Sequence, residues 1–176
     1  MKHTMEKVSQ IASYLLKRYK IRFGEMMDEI KLQKLLYFTQ REAIIRTGEP
    51  MFEAEFRAWK YGPVIAEIHT KYIADELHEE LSQESIERWK GCFDYIFDEF
   101  SHKKTMSLVS LAHGEKSWQR ARVGFGKYDR SDVPMKLEDI YEDAEYRKQR
   151  RASLPLRRAV NAFYEKYPAI KRIPII

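Results

Sequence analysis

Residues 31–63 read KLQKLLYFTQREAIIRTGEPMFEAEFRAWKYGP, and a change of period inside this stretch decides the fold. From Ile30 onward Leu32, Leu35, Leu36, Phe38, Ala43 and Ile45 recur at helical spacing and cover more than a narrow stripe. A helix patterned in this way is central and contacted on several sides. Asp28 stands ahead of it as a capping carboxylate. Gly48-Glu49-Pro50 ends it, because glycine accepts the left-handed conformation that closes a helix and proline blocks continuation. Beyond the turn the period falls to two. Phe52, Ala54, Phe56, Ala58 and Lys60 alternate with Glu53, Glu55, Arg57 and Trp59, as in a short edge strand. Gly62-Pro63 then punctuates. Pro63 suits the first turn of a following helix carrying Val64, Ile65, Ile68, Tyr72 and Ile73.

Working outward, Val8, Ile11, Ala12, Leu15, Leu16 and Tyr19 predict a helix over residues 4–19 with Thr4 as N-cap, followed by a connector at residues 20–27. Ser82 or Gln83 opens another helix, whose inner face carries Ile86, Trp89, Phe93, Ile96, Phe97 and Phe100. A shorter helix runs from Thr105 to His113-Gly114, and one or two turns follow over residues 117–122. Glycines, aspartates and Pro134 make residues 125–134 a loop, and Leu137–Arg151 and Leu156–Tyr167 read as two terminal helices. The expected fold is mainly α: a single compact helical domain over residues 1–146 with one short strand or β-hairpin, and a basic C-terminal helical extension over residues 147–176.

Size and composition fit that reading. A chain of 176 residues buries a sizeable core without staples, and its lone cysteine, Cys92, forms no internal disulfide. Met1-Lys2-His3-Thr4 leads into an amphipathic helix, which is no signal peptide, and no apolar run approaches the ~20 residues of a membrane span. A cytoplasmic protein without a membrane segment is expected. The net charge of +5 is unevenly spread: residues 147–176 hold nine Lys or Arg against the single acidic Glu165, so the first 146 residues are mildly acidic. Such a tail is either a solvated basic helix or a contact for phosphates, through Arg147, Lys148, Arg150, Arg151, Arg157 and Arg158.

Catalytic and metal chemistry is poorly supported. No phosphate-binding glycine pattern occurs, and Cys92 sits among Trp89, Phe93 and Ile96, where a buried inert thiol is expected. The five histidines lack zinc-cluster spacing, so neither a metal nor a cofactor is expected. An enzymatic site around His69, His113 and Glu115 is the remaining catalytic reading. His113-Gly114-Glu115-Lys116-Ser117-Trp118 either fixes one helix against the next or lines a partner groove. Trp59, Tyr61 and Pro63 surround a forced turn, where rigid aromatics serve as partner anchors or as plugs for a helical core.

The ordered pieces Lys31–Phe38, Gly48-Glu49-Pro50-Met51-Phe52 and Phe56–Val64 resemble the Panacea domain, a family that includes SocA-like antitoxins and phage-associated GepA-like proteins. Ile11-Ala12-x-Tyr14-Leu15-Leu16 and Leu111-x-His113-x-Glu115-x-x-Trp118 agree with it in position, so the resemblance spans roughly residues 5–145. Ser117 departs from the small residue or proline expected before the tryptophan, and the basic tail lies outside the pattern.

The resemblance implies a non-enzymatic antitoxin encoded beside its toxin, commonly on a prophage or other mobile element. It would act by direct binding or by delivering the toxin to a ClpXP-type protease. Candidate partner-binding residues are Gln33, Lys34 and Tyr37 on the polar side of the central helix, with Trp59, Tyr61 and Pro63 on the corner. The alternative is a nucleic-acid-associated phage or mobile-element regulator that uses the basic C-terminal segment.

Overall fold

The computed structural model describes residues 5–168. Among these residues seven α-helices surround one β-hairpin: α1 Val8–Phe23, α2 Glu29–Thr47, β1 Phe56–Trp59, β2 Gly62–Ile65, α3 Ala66–Ile73, α4 Gln83–Ile96, α5 Thr105–His113, α6 Lys116–Ala121 and α7 Leu137–Lys166. A π-helical turn, Phe97–Ser101, extends α4. The mainly α fold with one small hairpin is the architecture the sequence led us to expect.

α2 is the axis of the molecule. Asp28 caps it by accepting the Lys31 N–H at 2.8 Å, and Gly48 closes it at φ 79° with its N–H on the Ile44 carbonyl. Every residue from Lys31 to Ile44 is buried, because α1, α3, α4, α5, α7 and β2 all pack around this one helix. Its apolar side meets an aromatic core in which Phe38 stacks on Phe100 at 4.5 Å and Tyr37 meets the edge of Phe56 at 5.5 Å. Such pairs add to the stabilisation from burial itself.

Three elements differ from their sequence reading. α1 starts at Val8, with Lys7 at the N-cap making no side-chain bond, and Thr4 lies outside the described residues. It also runs on to Phe23, since Arg18 and Arg22 pair with Asp94 and Asp98 and hold the last turn against α4 and its π turn. Residues 62–65, expected to open a helix, instead pair antiparallel with β1 in the register Phe56↔Ile65, Arg57↔Val64, Ala58↔Pro63 and Trp59↔Gly62. Proline is tolerated there because it sits in a two-stranded hairpin, where the missing donor leaves no central ladder incomplete. The far edge of β1 is met by the segment at residues 133–135: Ala58 N–H donates to the Val133 carbonyl, and Met135 N–H to that of Phe56.

The third difference is α7, which is one helix where two were expected. Pro155 lies inside it, and residues 137–166 stay helical on both sides. Proline removes one backbone donor there, leaving the Arg151 carbonyl without its helical partner. Residues 154–159 are exposed, so water is at hand for that carbonyl. α7 therefore crosses residue 146 without interruption.

Candidate functional site

The polar residues of α2 have internal work. Gln33 clamps the backbone of Ile65 with both ends of its amide, accepting the N–H at 2.9 Å and donating to the carbonyl at 3.2 Å. Lys34 Nζ donates to the Pro63 carbonyl at 2.7 Å. Nearly two turns further on, Gln40 accepts the Met51 and Phe52 N–H groups and donates to the Phe52 carbonyl. Buried backbone needs such partners, and α2 supplies them from side chains both to β2 and to residues 51–52.

The opposite side of the hairpin turn is held by the His113–Trp118 segment. His113 Nε2–H donates to the Lys60 carbonyl at 3.0 Å, and the Trp118 indole N–H to the Trp59 carbonyl at 2.9 Å. The two rings stack at 4.1 Å, and the Arg122 guanidinium lies over Trp118 while bonding the Ala58 carbonyl. Burial pushes the His113 pKa down, against the opposing pull of its bond to Lys60. The segment therefore fixes the hairpin turn against α5 and α6.

The consequence is a rigid corner beside a groove. Trp59 and Tyr61 project from the hairpin, Trp59 half-buried and Tyr61 45% exposed. The groove next to them encloses about 820 Å³, with Gln33 and Lys34 in its floor and Trp59, Tyr61, Val64 and His69 among its walls. The Trp59 indole donates to Asp132 at 2.8 Å and meets His69 edge-on at 5.1 Å, while His69 Nδ1 lies 2.8 Å from a Glu29 carboxylate oxygen.

Of the six residues expected to meet a partner, Gln33, Lys34, Tyr37 and Pro63 are buried and carry the internal contacts described here, while Trp59 and Tyr61 reach the surface. The side of α2 expected to be free is thus covered. Tyr37 is fully enclosed: its hydroxyl donates to Asp143 at 2.9 Å and pairs with Ser117 at 3.0 Å, and burial raises its pKa. Asp143 also accepts the N–H groups of Lys116 and Ser117, so a carboxylate from α7 caps α6. Ser117, the departure noted in the sequence, is accommodated by its hydroxyl's contact with Tyr37 and its N–H bond to Asp143.

The basic segment divides in two. Arg147 pairs with buried Glu115 at 2.9 Å, beside Arg41, and Arg151 pairs with buried Glu42 at 2.8 Å, beside Arg46. Burial pushes the Glu115 carboxyl up in spite of its two arginines. These contacts fasten α7 to the body. Lys148, Arg150, Arg157 and Arg158 are exposed and have no carboxylate partner among the described residues.

Glu29, His69, Lys60, Arg130 and Asp132 of the groove were not singled out as partner residues by the sequence. Glu29 was within reach, since it stands one turn before Gln33 on the same helix face. Asp132 carried no signal, lying in a loop 73 residues from its tryptophan partner. His69, His113 and Glu115 are not brought together: their partners are Glu29, Lys60 and the two arginines respectively. Among the described residues no group of three or more His, Cys, Asp or Glu could hold a metal ion, and no helix is long and apolar enough to cross a membrane. Cys92 Sγ contacts the Thr39 carbonyl, and burial raises its pKa far above that of a free thiol.

A buried polar helix, a hairpin hung from it and a corner locked by a His-to-Trp segment define a small helical domain built around one central helix. The chain belongs to the family described as "Antitoxin SocA-like, Panacea domain", whose profile matches residues 32–119. That span runs from α2 through most of α6 and takes in most of the groove, leaving α1 and α7 outside. Comparison with curated proteins and with solved structures finds no match.

Proposed function

We propose that the chain is the antitoxin of a toxin–antitoxin pair and neutralises its cognate toxin in the cytoplasm by direct protein–protein binding. The contact surface is the groove at the hairpin corner, with Trp59 and Tyr61 as anchors and Gln33, Lys34, Tyr37 and Pro63 holding that surface in shape. One observation carries this assignment: two large aromatics stand at the surface on backbone whose carbonyls are held by α5 and α6 and whose far strand is held by α2. Rigid aromatics lose few rotamers on contact, the property that marks interface hot spots. Family membership supports the general role. The experiment is co-expression with the product of the adjacent gene: that product should arrest growth alone and be tolerated in the presence of this chain. A harmless neighbour, or toxicity that persists with both made, would overturn the proposal. Repeating the assay in a host lacking ClpXP separates direct neutralisation, which survives, from proteolytic delivery, which does not.

A second reading, regulation through nucleic acid, is favoured by four exposed cations of α7 that have no carboxylate partner among the described residues, Lys148, Arg150, Arg157 and Arg158. It requires binding that falls steeply as salt rises and that disappears when these four are neutralised. Absence of binding at low salt disposes of it.

A further inference from the structure

The groove holds its charges unequally. Its carboxylates are already engaged: Glu29 with His69 at 2.8 Å, and Asp132 with the Trp59 indole at 2.8 Å. Its cations are not. Lys34 is fully buried, yet among the described residues its hydrogen-bond partner is the neutral Pro63 carbonyl and no carboxylate lies within ion-pairing distance. Lys60 makes ring contacts to Tyr61 and Tyr128 at 5.1 and 5.7 Å but no ion pair, and exposed Arg130 has none either among the described residues. A buried ammonium without a counter-ion is unfavourable, and burial lowers the Lys34 pKa to about 7 against the opposing pull of Glu29. An anion brought into the groove would relieve that condition.

We propose that the groove takes an acidic segment of the protein partner, with an Asp or Glu seated against Trp59 and Tyr61 above Lys34 and its charge met at the rim by Lys60 and Arg130. This inference rests on the groove being the partner site. The apolar walls call for an aliphatic or aromatic neighbour beside the acidic residue, since Trp59, Tyr61, Ile30 and Val64 offer faces that a wholly charged segment would leave uncovered. A polyphosphate chain fits less well, because Glu29 and Asp132 stand in the same walls and would repel successive phosphates.

The experiment is selection of a random 12-residue peptide library on the full chain, subtracted with the Trp59→Ala/Tyr61→Ala chain. Binding of the selected peptides is then measured by calorimetry to the wild type and to Lys60→Gln/Arg130→Gln, with a 12-nucleotide single-stranded DNA as a second probe. Groove-dependent peptides should share an Asp or Glu beside an apolar residue, and replacing it with Asn or Gln should weaken binding about tenfold or more. The Lys60→Gln/Arg130→Gln chain should lose a similar factor for the acidic peptides and discriminate less between acid and amide. Because both rim residues are surface groups without ion pairs, its thermal transition should match the wild type. Groove-dependent peptides with no shared acidic position, or amide versions that bind equally well, overturn the inference and leave the groove as partner site. DNA binding that depends on the same rim residues and exceeds that of every peptide overturns it in favour of nucleic acid. If no groove-dependent peptide is enriched, the partner-site reading falls as well.

Discussion

The side chain of Lys34 lies directly across Gly62: a Cβ on Gly62 would stand 2.8 Å from Lys34 Cε and 3.2 Å from its Nζ. Gly62 also holds a φ of 98°, a region that side-chain-bearing residues rarely adopt. Lysine and glycine therefore fit as a pair. The glycine opens the path for the ammonium to reach the Pro63 carbonyl, and the lysine secures β2 from beneath. Gly62→Ala should destabilise the protein by about 2 kcal/mol or more, combining backbone strain with the clash. In a double-mutant cycle with Lys34→Ala, the clash component should vanish and the strain remain, a non-additivity readable by urea unfolding. Simple additivity of the two changes would contradict the contact.

Burial of Lys34 has a signature in pH. Its pKa falls from 10.5 to about 7 in the folded chain, through desolvation that Glu29 only partly offsets. Below pH 7 both folded and unfolded chains carry the proton, and the burial penalty is felt in full. Above pH 7 the folded chain releases it while the unfolded chain keeps it, so this group makes stability rise with pH. The slope should approach roughly 1 kcal/mol per pH unit. Near pH 9 the gain is opposed, because Cys92 retains its proton when buried and loses it when unfolded. Urea unfolding at pH 7, 8 and 9 should show this climb in the wild type and a flatter course in Lys34→Met. Parallel curves would remove the desolvated lysine from the account.

Asp143 joins three elements, accepting from Tyr37 Oη, Lys116 N and Ser117 N at 2.9, 2.9 and 3.0 Å. Asp143→Ala takes one of its two partners from the buried Tyr37 hydroxyl and leaves two helix-terminal N–H groups without their acceptor. A loss of about 3 kcal/mol is expected, equivalent to a fall in Tm of roughly 6–12 °C in a chain of this size. A change of only a degree or two would mean that α6 is capped by other means.

α7 should respond differently along its length. Arg151→Ala removes a partner from buried Glu42 and is expected to cost about 1–3 kcal/mol, with faster amide exchange along α7. Arg157→Ala/Arg158→Ala touches two exposed arginines and should stay within about 0.5 kcal/mol of wild type. Equal effects from the two changes would show that the helix is fastened elsewhere.

These contacts explain which features the sequence could disclose. α2 and its end were legible because the apolar period and Gly48-Glu49-Pro50 are local signals. The covering of its polar side was not, since Tyr37, Arg41 and Glu42 find partners 106, 74 and 109 residues away. β2 escaped notice for a similar reason: Gly62-Pro63-Val64-Ile65 has no alternation, and its extended form depends on Gln33 and Lys34 gripping its backbone from another element. The helices read over residues 137–151 and 156–167 are one, because Pro155 between them lies in a solvent-facing stretch where α7 absorbs it. Trp59 and Tyr61 were recognisable as a forced aromatic corner. The unpaired cations beside them became visible only when Asp132 and Glu29 were seen to be occupied.

The most direct test of the account is toxin rescue by groove variants. The adjacent gene's product is expressed from an inducible promoter, together with wild-type chain, Tyr61→Ala or Trp59→Ala/Tyr61→Ala. The variants are first verified as folded by thermal melting, with Tyr61→Ala close to wild type because its ring is 45% exposed. Full rescue is expected from the wild type, weakened rescue from Tyr61→Ala and none from the double variant. Rescue by the folded double variant at wild-type level would place neutralisation on another surface, and a product that fails to arrest growth alone would contradict the antitoxin role itself.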